Sequence, residues 1–228
     1  MTEKHLIWDL PLRIFHWSFA FTILGCWYTA ENKEDHIELH LQLGFIALGL
    51  IIFRVIWGFI GPKHARFSQF IPSVSTLYAY IKKSDKHKTT PGHNPLGALM
   101  VILMILLISV QATSGLFIND DIFSSGPYYG SISNSLEKIM SFLHHNTFDF
   151  MIAAIILHVS AISFYWCVKK DNLVLPMITG SKTSDQVKST DAIPHSKLIL
   201  AVILAALCVG FVYWLVIINA PIIEEFYF

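Results

Sequence analysis

Residues 95–118 read PLGALMVILMILLISVQATSGLFI and contain no charged side chain. A helix needs about 20 mostly apolar residues to cross the hydrocarbon core of a bilayer, so this stretch predicts a transmembrane helix. The rest of the chain agrees, because 54% of its 228 residues are hydrophobic and only 14% are charged. The mean hydropathy is +0.55. The sequence therefore indicates an all-α integral membrane protein, with membrane lipid as its first partner.

Five stretches are long and apolar enough to be membrane spans. They are residues 12–30, 37–60, 95–118, 146–168 and 197–219. We expect residues 1–180 to form a four-helix transmembrane domain and residues 181–196 to form a flexible, polar cytoplasmic linker rich in Ser, Thr and Lys. Residues 197–228 then form a fifth transmembrane helix with an outer tail. A short surface helix is predicted for residues 133–142.

Basic residues are concentrated in alternate loops, and this sets the predicted orientation. Six lie between spans two and three, and five lie between spans four and five: Lys63, Arg66, Lys82, Lys83, Lys86, Lys88, Lys169, Lys170, Lys182, Lys188 and Lys197. The positive-inside rule then places the N-terminus in the cytoplasm and the C-terminus outside. The formal net charge is zero, so no nucleic acid partner is indicated.

Four histidines at membrane depth are the main candidates for a functional site: His16, His40, His144 and His158. Ionisable side chains are costly there, and they indicate function. His144 and His158 are 14 residues apart, which places them roughly 40° apart around a helix and ~21 Å apart along its axis. One face of the fourth span therefore carries two imidazoles at two depths.

The direction of each span then predicts two pairs of imidazoles. His40 lies at the depth of His144 on the outer side, and His16 lies near the depth of His158 on the inner side. Facing imidazoles on bundle helices hold haem iron from both sides, so the pattern predicts two haems. The three cysteines form no C-x-x-C-H motif, so the haems are non-covalent. The alternative is that each histidine only bonds neighbouring helices.

Other histidines and other metal sites fit the pattern less well. His36 is the alternative to His40, and His145 is expected at the membrane interface. His5, His87 and His195 lie in polar segments, where we expect solvated side chains. Zinc or di-iron sites need a tighter cluster or core carboxylates, and a proton-coupled transporter needs a mid-bilayer acidic relay. Asp149 is the nearest carboxylate to such a position.

Residues 8–17, WDLPLRIFHW, resemble the opening motif of the bacterial cytochrome b561 and nickel–iron hydrogenase b-type cytochrome family. Residues 40–44, HLQLG, are similar to its second-helix ligand motif. The likeness continues at residues 53–54, 57–67, 92–98 and 172–180 and at the histidine pair of the fourth span, so it covers roughly residues 5 to 182. Two features depart from the family pattern: the fifth span, and His145 at a position that is usually acidic.

The resemblance implies a four-helix di-haem cytochrome b core in the bacterial inner membrane. Such a protein binds two haem b groups and exchanges electrons with menaquinone or ubiquinone and with a periplasmic redox protein, either a hydrogenase or a c-type cytochrome. It would act as a subunit of a respiratory oxidoreductase rather than as a stand-alone enzyme. A self-contained cytochrome b561-type quinone reductase and a haem-free scaffold or transporter are the alternatives. The sequence leaves open whether the chain forms a homo-oligomer.

The resemblance also gives roles to residues near the predicted haems. Gly44 lies one turn from His40, where a missing side chain lets a porphyrin approach the backbone; ordinary helix packing explains it equally well. Arg54, His64, Arg66 and His93 lie near the inner surface, where they would pair with haem propionates or line a quinone pocket. Arg54 and Arg66 fit equally well as snorkelling or lipid-headgroup residues, slightly the favoured interpretation for Arg66. Residues 93–95, HNP, fit a capped helix start as the alternative for His93.

Overall fold

The computed structural model describes residues 3–82, 91–119 and 124–221, and most of these residues are helical. The elements follow one another in the order β1 (Lys4–Leu6), α1 (Leu10–Glu31), α2 (Lys33–Ile60), a 3-10 turn (Lys63–Ala65), α3 (Phe67–Phe70), α4 (Val74–Ile81), α5 (Pro95–Gly115), α6 (Asn134–Cys167), α7 (Val174–Thr179), β2 (Ser181–Thr183), a second 3-10 turn (Ser189–Asp191), α8 (Leu198–Tyr213) and a π-helical turn (Trp214–Ile218).

Four of the long helices have the length and apolar character of membrane spans: α2, α5, α6 and α8 with its π-turn. Most of the side chains in the apolar stretch of each of these helices are not buried inside the protein, as contact with lipid requires. Helix α1 is 22 residues long but does not belong to this set. Arg13 and His16 lower its hydropathy, so its membrane crossing stays a prediction.

Two predicted boundaries are wrong at the start of helices. The predicted surface helix at residues 133–142 is the first part of α6, which begins at Asn134 and not near residue 146. The carbonyl of Ser133 accepts the amide of Glu137, and the Glu137 side chain lies in the first turn, where an acidic group is favourable. Helix α2 begins four residues early, at Lys33, with a kink at His36.

Residues 181–196 are not the flexible linker that their composition predicted. Gly180 ends α7 at a positive φ of 86°, and its carbonyl accepts the amides of Ile7 and Trp8. The two short strands then pair antiparallel, with Lys4 opposite Thr183. This pairing buries His5 to 7% exposure, so its predicted solvation is also wrong. Backbone pairing between distant segments explains both errors.

The chain divides into two compact units. The first consists of Met1–Trp17, Arg54–Ile105 and Ala153–Ile203, and the second of Ser18–Phe53, Leu106–Ile152 and Leu204–Phe228. The first unit contains the β1–β2 pair and the segments around it. Several predicted features lie outside the described residues: Lys83, Lys86, His87 and Lys88 of the basic loop and residues 222–228 of the outer tail.

Candidate functional site

His40 and His144 face each other within the second unit. Helix α2 carries His40 and helix α6 carries His144, and the two ring centres are 6.4 Å apart with the ring planes at 79°. A metal–imidazole nitrogen bond is about 2 Å long, and the nitrogen lies roughly 1 Å from the ring centre, so two imidazoles on opposite sides of one metal ion have centres about 6 Å apart. The observed spacing fits that arrangement.

In each of these histidines one ring nitrogen, Nδ1, is hydrogen-bonded to a backbone carbonyl. His40 Nδ1 lies 3.0 Å from the carbonyl of Cys26, and His144 Nδ1 lies 3.0 Å from the carbonyl of Gln111. Because a carbonyl only accepts, Nδ1 carries the proton and donates it. Nε2 is therefore the nitrogen of each ring that a metal would use.

Hydroxyl groups add a second contact at each of these nitrogens. Thr29 Oγ1 lies 3.2 Å from His40 Nδ1, and Ser114 Oγ lies 3.4 Å from His144 Nδ1. Both hydroxyls also bond carbonyls of the preceding helical turn, which fixes their positions. The orientation of both rings is thus set by the helices around them, as outer-shell partners do for metal ligands.

A cavity of about 940 Å³ lies between these two rings and the polar ends of the helices. Its wall includes Gly44, Gln111 and Gly115 as well as both histidines. A Cβ added at Gly44 would meet no atom within 4 Å, so this glycine does not serve close helix packing in the described structure. It leaves open space beside the imidazole pair, in a cavity large enough for a cofactor.

His16 and His158 form a second pair within the first unit. Their ring centres are also 6.4 Å apart, with the planes at 54°. His16 Nδ1 is buried and has no hydrogen-bond partner among the described residues, which differs from the carbonyl-bonded rings of the other pair. The edge of Trp17 packs on the His16 ring at 5.1 Å. The two described pairs therefore share one ring spacing and differ in how the second nitrogen is held.

A buried polar cluster lies at the start of α1. Asp9 is 1% exposed, and its Oδ1 accepts hydrogen bonds from the Leu12 amide and the Trp57 indole, each at 3.0 Å. Burial raises the pKa of Asp9, and these hydrogen bonds and Arg54 oppose the rise. Its Oδ2 has no hydrogen-bond partner in the described part of the chain. Sequence inspection missed this residue as a polar centre.

Arg54 is nearly as buried as Asp9, at 2% exposure. Its guanidinium lies 5.0 Å from the ring centre of Phe67 and 5.9 Å from that of Phe70, and it donates a long, 3.4 Å hydrogen bond to the carbonyl of Ala65. A buried cation favours an anionic partner. Asp9 is the acidic group that interacts with it electrostatically. Arg54 is thus buried among aromatic rings and is not a solvated lipid contact.

His93 and His64 lie around the Trp8 ring, also in the first unit. The His93 ring is 4.7 Å from Trp8 and 4.9 Å from Phe70. Burial lowers the pKa of His93 to about 3, with Arg54 and His64 adding repulsion, so this imidazole is neutral at physiological pH. His64 donates to the carbonyl of Asp191 at 2.7 Å, and burial lowers its pKa also.

The sequence matches the family described as prokaryotic cytochrome b561 over residues 7–180. The chain belongs to this family. It is a multi-pass membrane protein of electron transport, and the cofactor of a b-type cytochrome is haem b.

Several curated relatives carry the name "Probable Ni/Fe-hydrogenase B-type cytochrome subunit". The protein of Rhodobacter capsulatus is 22% identical over 215 residues, which cover 78% of this chain and 80% of the relative. The Azotobacter chroococcum protein is 21% identical, covering 76% and 86%, respectively. The Rhizobium leguminosarum protein is 27% identical over a shorter stretch, 44% and 53%. No solved structure matches the chain significantly.

The residues of this chain fit haem b. The described residues contain no group of three or more His, Cys, Asp and Glu able to hold a metal ion. They contain two pairs of facing imidazoles, the donor set that haem iron needs. The open space at Gly44 is a further feature that a bound group would use.

Proposed function

We propose that this chain is the membrane-bound electron carrier of a respiratory complex and holds two non-covalent haem b groups. His40 and His144 would bind one iron, and His16 and His158 the other. The observation that carries this proposal is that each pair has the same 6.4 Å ring spacing. Haem supplies one-electron redox chemistry when bound. The chain supplies the axial imidazoles, their fixed orientation and burial from water.

The test of this proposal is the number of haems per chain in single-histidine variants. His40→Ala and His16→Ala should each lose one haem of two, because a low-spin haem needs both axial ligands for tight binding. His195→Ala is the control, since His195 is exposed and its ring accepts the Lys197 amide. Wild-type protein without a b-type α-band in the reduced-minus-oxidised spectrum would instead favour a haem-free scaffold.

We further propose that the first unit contains a quinone site close to His93. A neutral imidazole between aromatic rings, with the buried Arg54 and His64 nearby, provides hydrogen-bond donors in apolar surroundings, as a quinone headgroup requires. Menaquinone and ubiquinone both fit this chemistry. In His93→Ala the KM for a quinol analogue should rise several-fold while both haems remain bound. An unchanged KM would remove His93 from the site.

The partner at the other end of the electron path is proposed to be a hydrogenase. The names of the relatives support this choice over a c-type cytochrome or a self-contained quinone reductase. Purification of the chain from its native membrane should recover a hydrogenase and give haem reduction under hydrogen. Recovery of a c-type cytochrome, or full quinol turnover by the chain alone, would select one of the alternatives.

The placement in the cell is part of the same proposal. We place the chain in the bacterial inner membrane with a cytoplasmic N-terminus and a periplasmic C-terminus, following its basic loops. The lipid contact would involve exposed apolar residues such as Val202 and Val209, each 69% exposed on α8. The His40–His144 pair would then be the outer one, nearer the periplasmic partner.

A further inference from the structure

Within the second unit, helix α8 presents one packed face to the protein. Its buried residues there follow a four-residue spacing: Leu204, Cys208, Val212 and Val216. Val212 packs against Gly49 of α2, where an added Cβ would lie 3.6 Å from Val212 Cγ2. Helix α2 is also the helix that carries His40. Helix α8, the fifth predicted span, therefore touches α2, which is one of the two helices that carry the His40–His144 pair.

The π-turn at the end of α8 makes a backbone carbonyl available for a different partner. The amide of Asn219 donates to Trp214, five residues back, as a π-turn requires. The carbonyl of Leu215 therefore lacks the amide that an α-helix would give it, and it accepts the Tyr128 hydroxyl at 2.9 Å. The Asn219 side-chain amide donates to the same hydroxyl at 3.1 Å.

Tyr128 belongs to a loop that is bonded to the end of α5. The Tyr128 amide donates to the Leu116 carbonyl at 2.8 Å, and the Gly126 amide donates to the Ile118 carbonyl at 2.7 Å. The approach is so close that a Cβ at Gly126 would lie 2.5 Å from the carbonyl oxygens of Gly115 and Leu116. The loop thus rests directly on the α5 backbone, with no side chain between them.

The α5 backbone in turn rests against His144. A Cβ at Gly115 would lie 3.0 Å from His144 Cε1, so the imidazole packs on bare backbone at that point. The same helix supplies the Gln111 carbonyl that accepts from His144 Nδ1. Contacts therefore run without interruption from the π-turn through Tyr128, Gly126 and Gly115 to the imidazole of His144.

We propose that Tyr128 is a positioning residue through which helix α8 fixes the orientation of His144 as an iron ligand. This inference rests on the proposed ligation of one haem by His40 and His144. Loss of the Tyr128 hydroxyl uncouples the loop from α8 and leaves only its backbone hydrogen bonds to hold it on the end of α5. The backbone surface against which the His144 ring packs then becomes less rigid. The orientation of an axial imidazole and its hydrogen bonds tune the iron's potential.

The experiment compares full-length wild-type protein with Tyr128→Phe, which removes only the hydroxyl. Both should bind two haems. In Tyr128→Phe the low-spin ferric EPR signal and the midpoint potential should shift for one haem only, the one that His40→Ala removes. Tyr129→Phe is the matched control, because its hydroxyl makes no hydrogen bond within the described residues. Both signals should stay unchanged in that variant.

Asn219→Ala provides a second, independent variant. It removes the donor to the Tyr128 hydroxyl, and it should move the same haem in the same direction. A Tyr128→Phe protein with two haems and wild-type EPR and potentials would overturn the positioning role while leaving the ligand pairs intact; if Tyr128→Phe does not fold, an unchanged Asn219→Ala protein overturns it equally. Wild-type protein without a haem dependent on His40 and His144 would overturn the proposed function, and this inference with it.

Discussion

At the scale of single residues, the polar groups that matter most are those whose partners lie on other helices. Spacing on the fourth span and the direction of the helices were enough to predict which histidines meet. The carbonyls of Cys26 and Gln111, which orient His40 and His144, could not be predicted, because every residue has a carbonyl. Hydroxyls within predicted spans, such as Thr29 and Ser114, were the available signal.

Gly44 offers a test of the cavity that is independent of iron ligation. In Gly44→Leu the new side chain should project into the cavity and lower the haem content from two per chain towards one. Gly210→Leu is the control, because Gly210 on α8 also has no atom within 4 Å of an added Cβ but does not line the cavity. Haem content is measured by the pyridine haemochrome assay. Equal haem content in the two variants would contradict a cofactor at Gly44.

Asp9 gives a prediction about stability. Asp9→Ala removes the acceptor that the Leu12 amide and the Trp57 indole N–H share. The lost cap costs about 1 kcal/mol, and the lost hydrogen bond of the indole costs roughly 0.5–1.5 kcal/mol. Asp9→Asn keeps an acceptor oxygen in place and should lose much less. Thermal unfolding in detergent would measure both, and equal losses would show that the charge, not the hydrogen bonds, matters.

The difference in stability between wild type and Asp9→Asn should change with pH in a definite direction. Because the pKa of Asp9 is raised in the folded protein above its ordinary value of 3.8, the folded state binds the proton more tightly than the unfolded state does. The contribution of Asp9 therefore favours folding at acid pH and declines as the pH rises through the folded-state pKa. The stability of wild type relative to Asp9→Asn should fall over that interval.

At the scale of elements, hydropathy predicted the interiors of helices well and their ends poorly. The first part of α6, near Ser133 and Glu137, contains polar side chains that a bilayer criterion rejects, although their hydrogen bonds favour a helix. The prediction of a flexible linker after Gly180 was wrong for the opposite reason. Its polar composition is typical of a linker, but β1 supplies backbone partners from the other end of the chain. Neither feature depends on apolar content.

Gly180 is the residue on which this pairing depends. Gly180→Ala places a Cβ 2.9 Å from the Trp8 carbonyl and forces a side chain into the left-handed region, which alone costs roughly 1–2 kcal/mol. We expect a lower melting temperature in detergent. Gly210→Ala, on an open helical face, should leave stability unchanged or raise it by up to about 1 kcal/mol. A Gly180→Ala protein as stable as wild type would show that the turn is not required.

At the scale of the whole molecule, the uneven distribution of basic residues between the loops predicts the orientation in the membrane. Alkaline phosphatase fused after Phe228 should be active, because it would be exported with the C-terminus. The same enzyme fused after Asn172, in the basic segment that follows α6, should be inactive. The reverse pattern would invert the assignment of the His40–His144 pair to the periplasmic side.

The antiparallel pairing of β1 with β2 has a consequence for biosynthesis. Lys4 can pair with Thr183, its partner in the sheet, only after Thr183 has been synthesised. A ribosome adding roughly 5–20 residues per second needs on the order of 10–40 s to produce the chain between them. During that interval the nascent first helix lacks the partners that come late in the chain, among them His158 beside His16 and the Met177 carbonyl that accepts the Trp17 indole N–H. The first helix therefore completes its packing only after the ribosome has passed the end of α7.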